Sequence, residues 1–168
     1  MPAATYYVHD PYAPEPNSSA RFGSAVVIVA EGKILLEHRK DNFRWGVISG
    51  DIRDTETFRQ CAIRRTIEET GIHLKNEDLH ELKLFDDPSR IVSSHDGEVR
   101  RLVHMSYYAL PDRIPETECG DSCIELRWVS PSELNNYEIT VVHTGILQKA
   151  LEVLHMDSSS LSASIYEK

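Results

Sequence analysis

Apolar and polar positions alternate in distinct patterns along the chain, and these patterns predict its strands and helices. Two runs rich in aliphatic and β-branched residues, 24–30 and 33–39, flank the pair Glu31-Gly32. A glycine-containing pair between two such runs is typical of a β-hairpin. A short apolar run at residues 45–50 follows and is predicted to end in a turn.

The segment after this turn has the pattern of a helix. Asp54-Thr55 offers an N-terminal cap before residues 56–69. Gly71 suits the position just after a last helical turn, because glycine adopts a left-handed backbone without steric cost. We therefore predict a helix that begins near residue 56 and ends before Gly71.

Three further strands and a second helix are predicted in the C-terminal half of the chain. The strands are expected at residues 80–85, 100–110 and 124–129. Residues 130–133 match a capping box with Pro131 at the first helical position. A last helix is predicted over 141–154, and residues 86–101 are interpreted as a long polar surface loop. A strand-rich chain with two substantial helices indicates a mixed α/β layered domain.

Length and local composition divide the chain simply. The 168 residues are enough for one domain with its own core. Residues 1–20 hold four of the eight prolines and are predicted to form an extended N-terminal arm, which could serve as a dimer contact. Residues 21–156 would be the domain itself, and 157–168 a polar C-terminal tail.

The charge balance restricts the classes of partner. The chain has 18 Lys plus Arg against 27 Asp plus Glu, a net charge of −9. This acidity argues against duplex nucleic acid and against anionic membranes, which need clustered basic side chains. It is compatible with a small anionic substrate held through metal ions. Because no signal peptide and no run of about 18 apolar residues is present, we expect a cytoplasmic protein without membrane contact.

The three cysteines, Cys61, Cys119 and Cys123, are too few for a disulfide framework in a chain of this length. The spacing of Cys119 and Cys123 could suggest a metal, but no second pair follows. We therefore expect three reduced thiols and no zinc site.

One face of the first predicted helix combines apolar and charged residues. At about 100° per residue, six side chains fall within one arc of about 120°. They are Phe58, Cys61, Ala62, Arg65, Glu68 and Glu69. Carboxylates on a partly buried face need partners. Arg65 could be that partner at the i+3 and i+4 spacings, or a divalent cation could be.

The wider context of this helix favours the metal. From Gly50, Glu56 follows after five residues and Arg64 after seven more. Glu68, Glu69, Gly71 and the aliphatic Ile72 complete the pattern. This arrangement resembles the Nudix box, GX5EX7REUXEEXGU with U an aliphatic residue, and the resemblance extends over about residues 22 to 155.

The resemblance implies a fold and an activity. Nudix domains form an α/β/α sandwich with a mixed sheet. They hydrolyse the pyrophosphate of a nucleoside diphosphate linked to another moiety and use Mg²⁺ or Mn²⁺. We therefore expect a divalent-metal-dependent hydrolase with a small nucleotide-like substrate. Dimers are common in the family, so a homodimer is compatible with the resemblance.

The resemblance also implies roles for individual residues. Glu56, Glu68 and Glu69 would hold the metal, with Glu69 also taking part in catalysis. Arg64 would orient the carboxylates through hydrogen bonds. The box is usually completed by an acid outside it, and Glu116, Glu118 and Asp121 are the candidates here, of which we choose Asp121. Independently of the resemblance, the position of Arg39 at the end of the second strand of the hairpin is compatible with contact to a substrate phosphate or with an ordinary surface arginine.

The sequence departs from the family pattern at a critical position. Arg65 stands where the family has a glutamate that often binds metal or helps to deprotonate the attacking water. The change shifts the formal charge of the carboxylate cluster by two units, and a cation beside a dication is costly. Thr66 stands where the family pattern has an aliphatic residue. Ile48 and Ser49 stand where the family usually has a Pro-Gly-Gly turn.

Two hypotheses follow from this departure. In the first, the protein is an active hydrolase in which Arg65 turns away from the metal or contacts substrate phosphate. In the second, it is a catalytically impaired Nudix-fold module in which Arg65 replaces the metal as a fixed counter-ion. Such a module would bind a nucleotide or phosphorylated ligand without hydrolysis.

Overall fold

The computed structural model of the protein describes residues 2–161, which form nine strands and two α-helices. The strands are β1 (Ala4–Tyr7), β2 (Arg21–Ala30), β3 (Lys33–Arg39), β4 (Trp45–Gly46), β5 (Ile48–Asp51), β6 (His80–Phe85), β7 (Ile91–Ser94), β8 (Val99–Ala109) and β9 (Cys123–Val129). The helices are α1 (Phe58–Thr70) and α2 (Val141–Val153), with short 3₁₀ helices at Asn76–Asp78 and Pro131–Asn136.

The strands form a mixed sheet. β2 runs parallel to β8, which pairs in turn with β6 and β7 in antiparallel fashion. On its other side β2 pairs antiparallel with β3 and β5, and β3 continues to β4 and β9. The parallel β2–β8 pair has α1 among the elements that separate its strands along the chain, as a parallel connection requires.

The two helices cover opposite sides of this sheet, as the predicted α/β/α sandwich requires. Val26 and Ile28 of β2 pack with Ala62 of α1 in one apolar cluster. Val27 and Val29 pack in a second cluster, which contains the buried residues Ile146, Leu147 and Leu151 of α2. Because alternate strand residues face opposite sides, a strand covered on both sides is apolar throughout.

The predicted hairpin is confirmed. β2 and β3 are joined by Glu31 and Gly32, whose φ angles are 51° and 74°. Positive φ at both central residues gives the turn a backbone twist that suits paired strands, and glycine adopts such an angle at no steric cost.

The end of α1 is as predicted, but its start is not. Gly71 follows the last turn with φ 77°, and its N–H bonds to the Ile67 carbonyl. The cap is Thr57 rather than Asp54 or Thr55, because its hydroxyl accepts from the Gln60 N–H while the Gln60 side chain accepts from the Thr57 N–H. Several cap-forming residues lie in this segment, and only Thr57 has a glutamine three residues later.

The segment before α2 corrects a second prediction. Residues 130–133 do not form a capping box, since Ser130 makes no side-chain cap bond and the turn is a 3₁₀ helix. Pro131 does occupy its first position, as expected. The last helix spans Val141–Val153 and buries the predicted stripe of Val142, Ile146, Ala150 and Leu151.

Residues 86–101 are not a polar surface loop. They contain β7 and the start of β8, and the side chain of Arg90 is buried there. β1 pairs with β7 along its whole length, so residues 4–7 pack on their own chain. The limits proposed for the arm and the tail stay predictions, and residues 162–168 of that tail lie outside the described residues.

The cysteine prediction is wrong for two of the three thiols. Cys119 and Cys123 form a disulfide, which closes the turn before β9. Cys61 is free and buried on α1. No helix within residues 2–161 combines the length and the apolar character needed to cross a bilayer.

Candidate active site

One pocket of about 680 Å³ gathers most of the residues singled out from the sequence. Arg39, Arg64, Arg65 and Asp121 line it. The three predicted metal ligands, Glu56, Glu68 and Glu69, do not form its wall. They accept hydrogen bonds from the side chains of Arg64 and Arg65 instead.

Helical spacing and a glycine bring Arg65 to this position. Residues three and four apart share one face of a helix, so Arg65 reaches both Glu68 and Glu69. On its other side Arg65 lies directly against Gly50 of β5, where any Cβ atom would overlap the arginine side chain. Gly50 is therefore needed for close contact between α1 and β5.

Arg64 links Glu56, at the start of the box, to Glu68, near its end. Its Nε donates to Glu56 Oε2 at 3.0 Å, and its Nη1 donates to Glu68 Oε1 at 2.7 Å. Its Nη2 donates to the Asp51 carbonyl at 2.8 Å. The hydrogen bond from Arg64, together with the N–H of Arg53 and nearby positive charge, lowers the pKa of Glu56 to about 2. Partial burial opposes the ionisation of Glu68, but Arg64 and Arg65 outweigh it and lower its pKa.

Arg65 bridges the two carboxylates at the end of the helix. Its Nη1 donates to Glu68 Oε1 at 3.2 Å and its Nη2 to Glu69 Oε1 at 2.9 Å. Its Nε donates to the Ser49 carbonyl at 3.3 Å. The guanidinium thus takes the place of a cation between Glu68 and Glu69, as in the ion-pair interpretation of the sequence.

This bridge provides a hydrogen bond to only one of the two carboxylate oxygens of Glu69. Only 2% of its side chain is exposed, and its second oxygen, Oε2, is buried without a hydrogen-bond partner. The same is true of Glu37 Oε2, in a residue that is 3% exposed and lines the pocket. Burial raises the pKa of Glu37 to about 9, and a hydrogen bond with the Glu69 carboxyl and the charge of that carboxyl add to the effect.

Sequence reasoning missed Glu37. The available signal was a carboxylate directly after the apolar run 34–36 of β3, a position expected to be covered. Side chains alternate along a strand, but β3 is buried on both sides, so the polar residue was a sign of a special environment. Its link to Glu69 is tertiary and cannot be read from local spacing.

The loop before β9 docks on the C-terminal end of α1. The N–H of Gly120 bonds to the Glu69 carbonyl at 3.1 Å, and that of Glu118 to the Thr70 carbonyl at 2.9 Å. This docking places Asp121 at the pocket, whereas Glu116 lines a separate cavity. Among the three acids left open by the sequence, Asp121 is thus the one whose position suits the site.

Arg39 lies in the pocket wall with its donors already engaged. It bonds to both oxygens of Asp41, at 3.0 and 2.7 Å. It also donates to Ser49 Oγ at 3.2 Å and to the Tyr6 hydroxyl at 3.1 Å. The Arg39 guanidinium is therefore rigidly held, and Tyr6 brings β1 into the site.

Two buried histidines form another part of the lining. His104 Nδ1 lies 2.9 Å from Arg90 Nη2, and His143 Nδ1 accepts from the Val47 N–H at 3.1 Å. Burial and the nearby arginines lower the pKa of both imidazoles well below the usual value. Both rings are therefore neutral at pH 7, and the Nδ1 bonds place their hydrogens on Nε2.

The pocket is basic although the chain is acidic. Its lining carries four acidic side chains, Glu37, Asp41, Asp51 and Asp121, and six basic ones. The basic side chains are Arg21, Arg39, Lys40, Arg53, Arg64 and Arg65. A cleft lined by an excess of positive charge attracts anions, even when the net charge of the protein is negative.

The donor set near Glu69 fits a hard divalent cation. Within residues 2–161 no three His, Cys, Asp or Glu side chains are arranged as a ready-made metal site. Two carboxylate oxygens, on Glu37 and Glu69, are nevertheless buried without a partner. Mg²⁺ and Mn²⁺ prefer oxygen ligands, and a buried carboxylate oxygen is costly unless something satisfies it.

Comparison with known proteins agrees with this architecture. The family model of the NUDIX domain matches residues 20–150. A search of curated proteins gave no match.

Solved structures with a similar fold agree with the family match. A MutT/nudix family protein from Enterococcus faecalis superposes with a TM-score of 0.68 at 20% identity, over 88% of this chain and 66% of that one. A NUDIX domain of Shewanella oneidensis NrtR, complexed with ADP ribose, gives 0.67 at 20% identity over 87% and 94%. A bifunctional NMN adenylyltransferase/ADP ribose pyrophosphatase from Francisella tularensis, complexed with AMP and a Mn ion, gives 0.66 at 25% identity over 86% and 43%. The chain thus spans less than half of the Francisella protein.

Proposed function

The chain belongs to the Nudix family, and from this premise we propose that it is a divalent-metal-dependent hydrolase. Its substrate would be a nucleoside diphosphate linked to another moiety, cleaved at the pyrophosphate. The main support for the proposal is the state of the Glu69 carboxylate. This box carboxylate is retained, buried and held on one oxygen by Arg65, while its other oxygen has no partner.

Each residue of the proposed site has its own role. Glu56, Glu68 and Glu69 would hold the metal, and Glu69 and Asp121 would orient the attacking water. Arg64 fixes the carboxylates of Glu56 and Glu68 through hydrogen bonds of 3.0 and 2.7 Å. When bound, Mg²⁺ or Mn²⁺ would neutralise the pyrophosphate charge and make the phosphorus accessible to water.

The pocket supplies the binding energy for an anionic substrate. A volume of about 680 Å³ lies within the range usual for small-molecule sites. Its basic residues outnumber its acidic ones, and Arg65 is the predicted contact of a substrate phosphate. Arg39 is the second predicted contact, and Asp41 keeps its guanidinium in one orientation.

ADP-ribose is the first substrate to test. The Francisella relative is an ADP ribose pyrophosphatase whose structure contains AMP and a Mn ion. At 25% identity over 86% of this chain, that likeness supports a nucleoside diphosphate sugar as the substrate class. The acidic chain remains unsuited to duplex nucleic acid, and the expected compartment is the cytoplasm.

A second candidate function rests on the same arginine. Arg65 already provides a positive charge between Glu68 and Glu69, at 3.2 and 2.9 Å. A site in which this guanidinium replaces the metal would be a Nudix-fold module that binds a nucleotide or phosphorylated ligand and does not hydrolyse it. The two functions differ in turnover and share the pocket.

The decisive experiment compares three proteins on a panel of nucleotides and nucleotide sugars. Wild type, Glu69→Gln and Arg65→Glu are incubated with Mg²⁺ or Mn²⁺, and products are separated by ion-exchange chromatography. We expect wild-type turnover that depends on the metal and that Glu69→Gln reduces by at least about a hundredfold. Metal-free samples with EDTA serve as the blank.

The alternative has a different result. Wild type would show no turnover, and activity would appear in Arg65→Glu because the substitution restores the carboxylate of the family pattern. Calorimetry would then show ligand binding to the wild type without reaction. That outcome would overturn the hydrolase proposal in favour of the binding module.

A further inference from the structure

The box of this chain lacks one carboxylate, and the structure contains a candidate replacement outside the box. The glutamate of the family pattern at position 65 is an arginine, which bonds to Glu68 and Glu69. Compared with three box carboxylates, the cluster has lost one negative charge and gained one positive charge. Glu37 on β3 brings another carboxyl to the same place, facing Glu69.

The unsatisfied atoms identify the pair. Among residues 2–161, four buried side-chain polar atoms lack a hydrogen-bond partner: Glu37 Oε2, Glu69 Oε2, Ser89 Oγ and Arg101 Nε. Two of the four belong to carboxyls that face one another. A buried carboxylate oxygen without a donor costs free energy, and the cost is removed when a cation binds it.

The position of Glu37 makes it accessible to a ligand of the pocket. It is 3% exposed, yet it lines the pocket that also contains Arg65 and Asp121. On β4 it pairs with Gly46, and the ring of His143, which also lines the pocket, fills the space where a side chain at that glycine would lie. Glu56 and Glu68, by contrast, accept hydrogen bonds from Arg64.

We propose that Glu37 is a ligand of the divalent cation and replaces the carboxylate that the box lacks at position 65. With Glu69 it offers two buried carboxyl oxygens that accept no hydrogen bond from any other residue, a set that suits Mg²⁺ or Mn²⁺. Arg65 keeps its bonds to the opposite oxygens of Glu68 and Glu69. The inference rests on the proposed metal dependence of the site and adds a residue that the family pattern does not contain.

The test measures Mn²⁺ binding without substrate. Free Mn²⁺ is followed by its electron paramagnetic resonance signal in titrations of wild type, Glu37→Gln, Glu37→Asp and Glu69→Gln. Glu125→Gln is the matched control, because Glu125 lies on the neighbouring strand β9, is bonded to Arg127 and does not line the pocket.

Loss of either ligand should weaken Mn²⁺ binding at least about tenfold, so we expect this for Glu37→Gln and Glu69→Gln. Glu37→Asp should bind more tightly than Glu37→Gln, and Glu125→Gln should bind as the wild type does. Thermal unfolding in EDTA checks that each variant is folded. Added Mn²⁺ should raise the melting temperature of wild type and raise that of Glu37→Gln much less.

Two results would overturn the inference, and they are distinguishable. If Glu37→Gln binds Mn²⁺ as tightly as wild type while Glu69→Gln does not, Glu37 is no ligand and the proposed metal dependence stands. If wild type itself binds no Mn²⁺, the inference and the proposed metal dependence are both wrong.

Discussion

Arg65 donates to Glu69 Oε1 at 2.9 Å from one helical turn away, and the other oxygen of Glu69 is buried without a partner. The arginine therefore stabilises the Glu69 carboxylate in the absence of metal. It bonds to only one of the two carboxylate oxygens. An arginine and a cation can therefore share one carboxylate through different oxygens.

Removing Arg65 should destabilise the metal-free protein. Arg65→Ala leaves Glu69 with no charge partner at a site where only 2% of its side chain is exposed. We expect a loss of about 3–5 kcal/mol in the free energy of unfolding, measured by urea denaturation in EDTA. Lys149→Ala, which removes an exposed ion pair with Glu152 on α2, should cost less than about 1 kcal/mol. Equal losses in the two variants would contradict the account.

The bond between Glu56 and Arg64 should make stability depend on acidity. The pKa of Glu56 falls to about 2 from an ordinary value of 4.5, mainly through its hydrogen bond with Arg64. A lowered pKa stabilises the folded protein above pH 4.5, and this contribution is lost as pH falls towards 2. Glu56→Gln should therefore lower stability at pH 7, and the difference from wild type should shrink below pH 4.5. A difference that is constant with pH would exclude the charged bond as its cause.

Glu37 should have the opposite dependence. Burial and the facing Glu69 raise its pKa from 4.5 to about 9. Between these values the folded protein keeps a proton that the unfolded chain releases, so this group reduces stability as pH rises. Glu37→Gln should thus stabilise the metal-free protein, with a gain that grows from pH 5 to 9. Chemical denaturation in EDTA measures the gain, and Glu125→Gln should change stability by no more than about 0.5 kcal/mol at each pH.

Gly120 should be essential for docking the loop that holds Asp121. A Cβ atom at this position would overlap the backbone carbonyl of Glu68, which cannot move without disturbing α1. We expect Gly120→Ala to lower stability by about 1–3 kcal/mol and to reduce turnover. Gly145→Ala is the matched control, since its nearest atom is Phe85 Cε1 at an ordinary 3.4 Å. Within α2, alanine should add about 0.5–1 kcal/mol.

The sequence predicts those elements whose causes are local. The β2–β3 hairpin depends on two apolar runs and the Glu31-Gly32 turn, and the end of α1 depends on Gly71. Both are confirmed. The start of α1 was misplaced because several residues before it can cap a helix, and the choice of Thr57 depends on its exchange of bonds with Gln60.

The same reasoning limits what could be predicted of the site. The contact of Arg65 with Glu68 and Glu69 follows from helical spacing, so it was among the interpretations left open. The pairing of Glu37 with Glu69 joins a strand to a helix about thirty residues later, and no local pattern contains it. The surface loop predicted over residues 86–101 is wrong for the same reason, because Arg90 in this segment is buried and its partners are carbonyls and a histidine from distant elements.

The most direct test of the central claim is ³¹P NMR of wild-type protein with ADP-ribose, in the presence of Mg²⁺ and again in EDTA. A metal-dependent hydrolase that works with Arg65 in the box converts the two pyrophosphate resonances into phosphomonoester resonances only when Mg²⁺ is present. If ADP-ribose and the other nucleotide sugars of the panel stay intact with Mg²⁺ while calorimetry shows that the protein binds them, Arg65 has replaced the metal and the account of a hydrolase is contradicted.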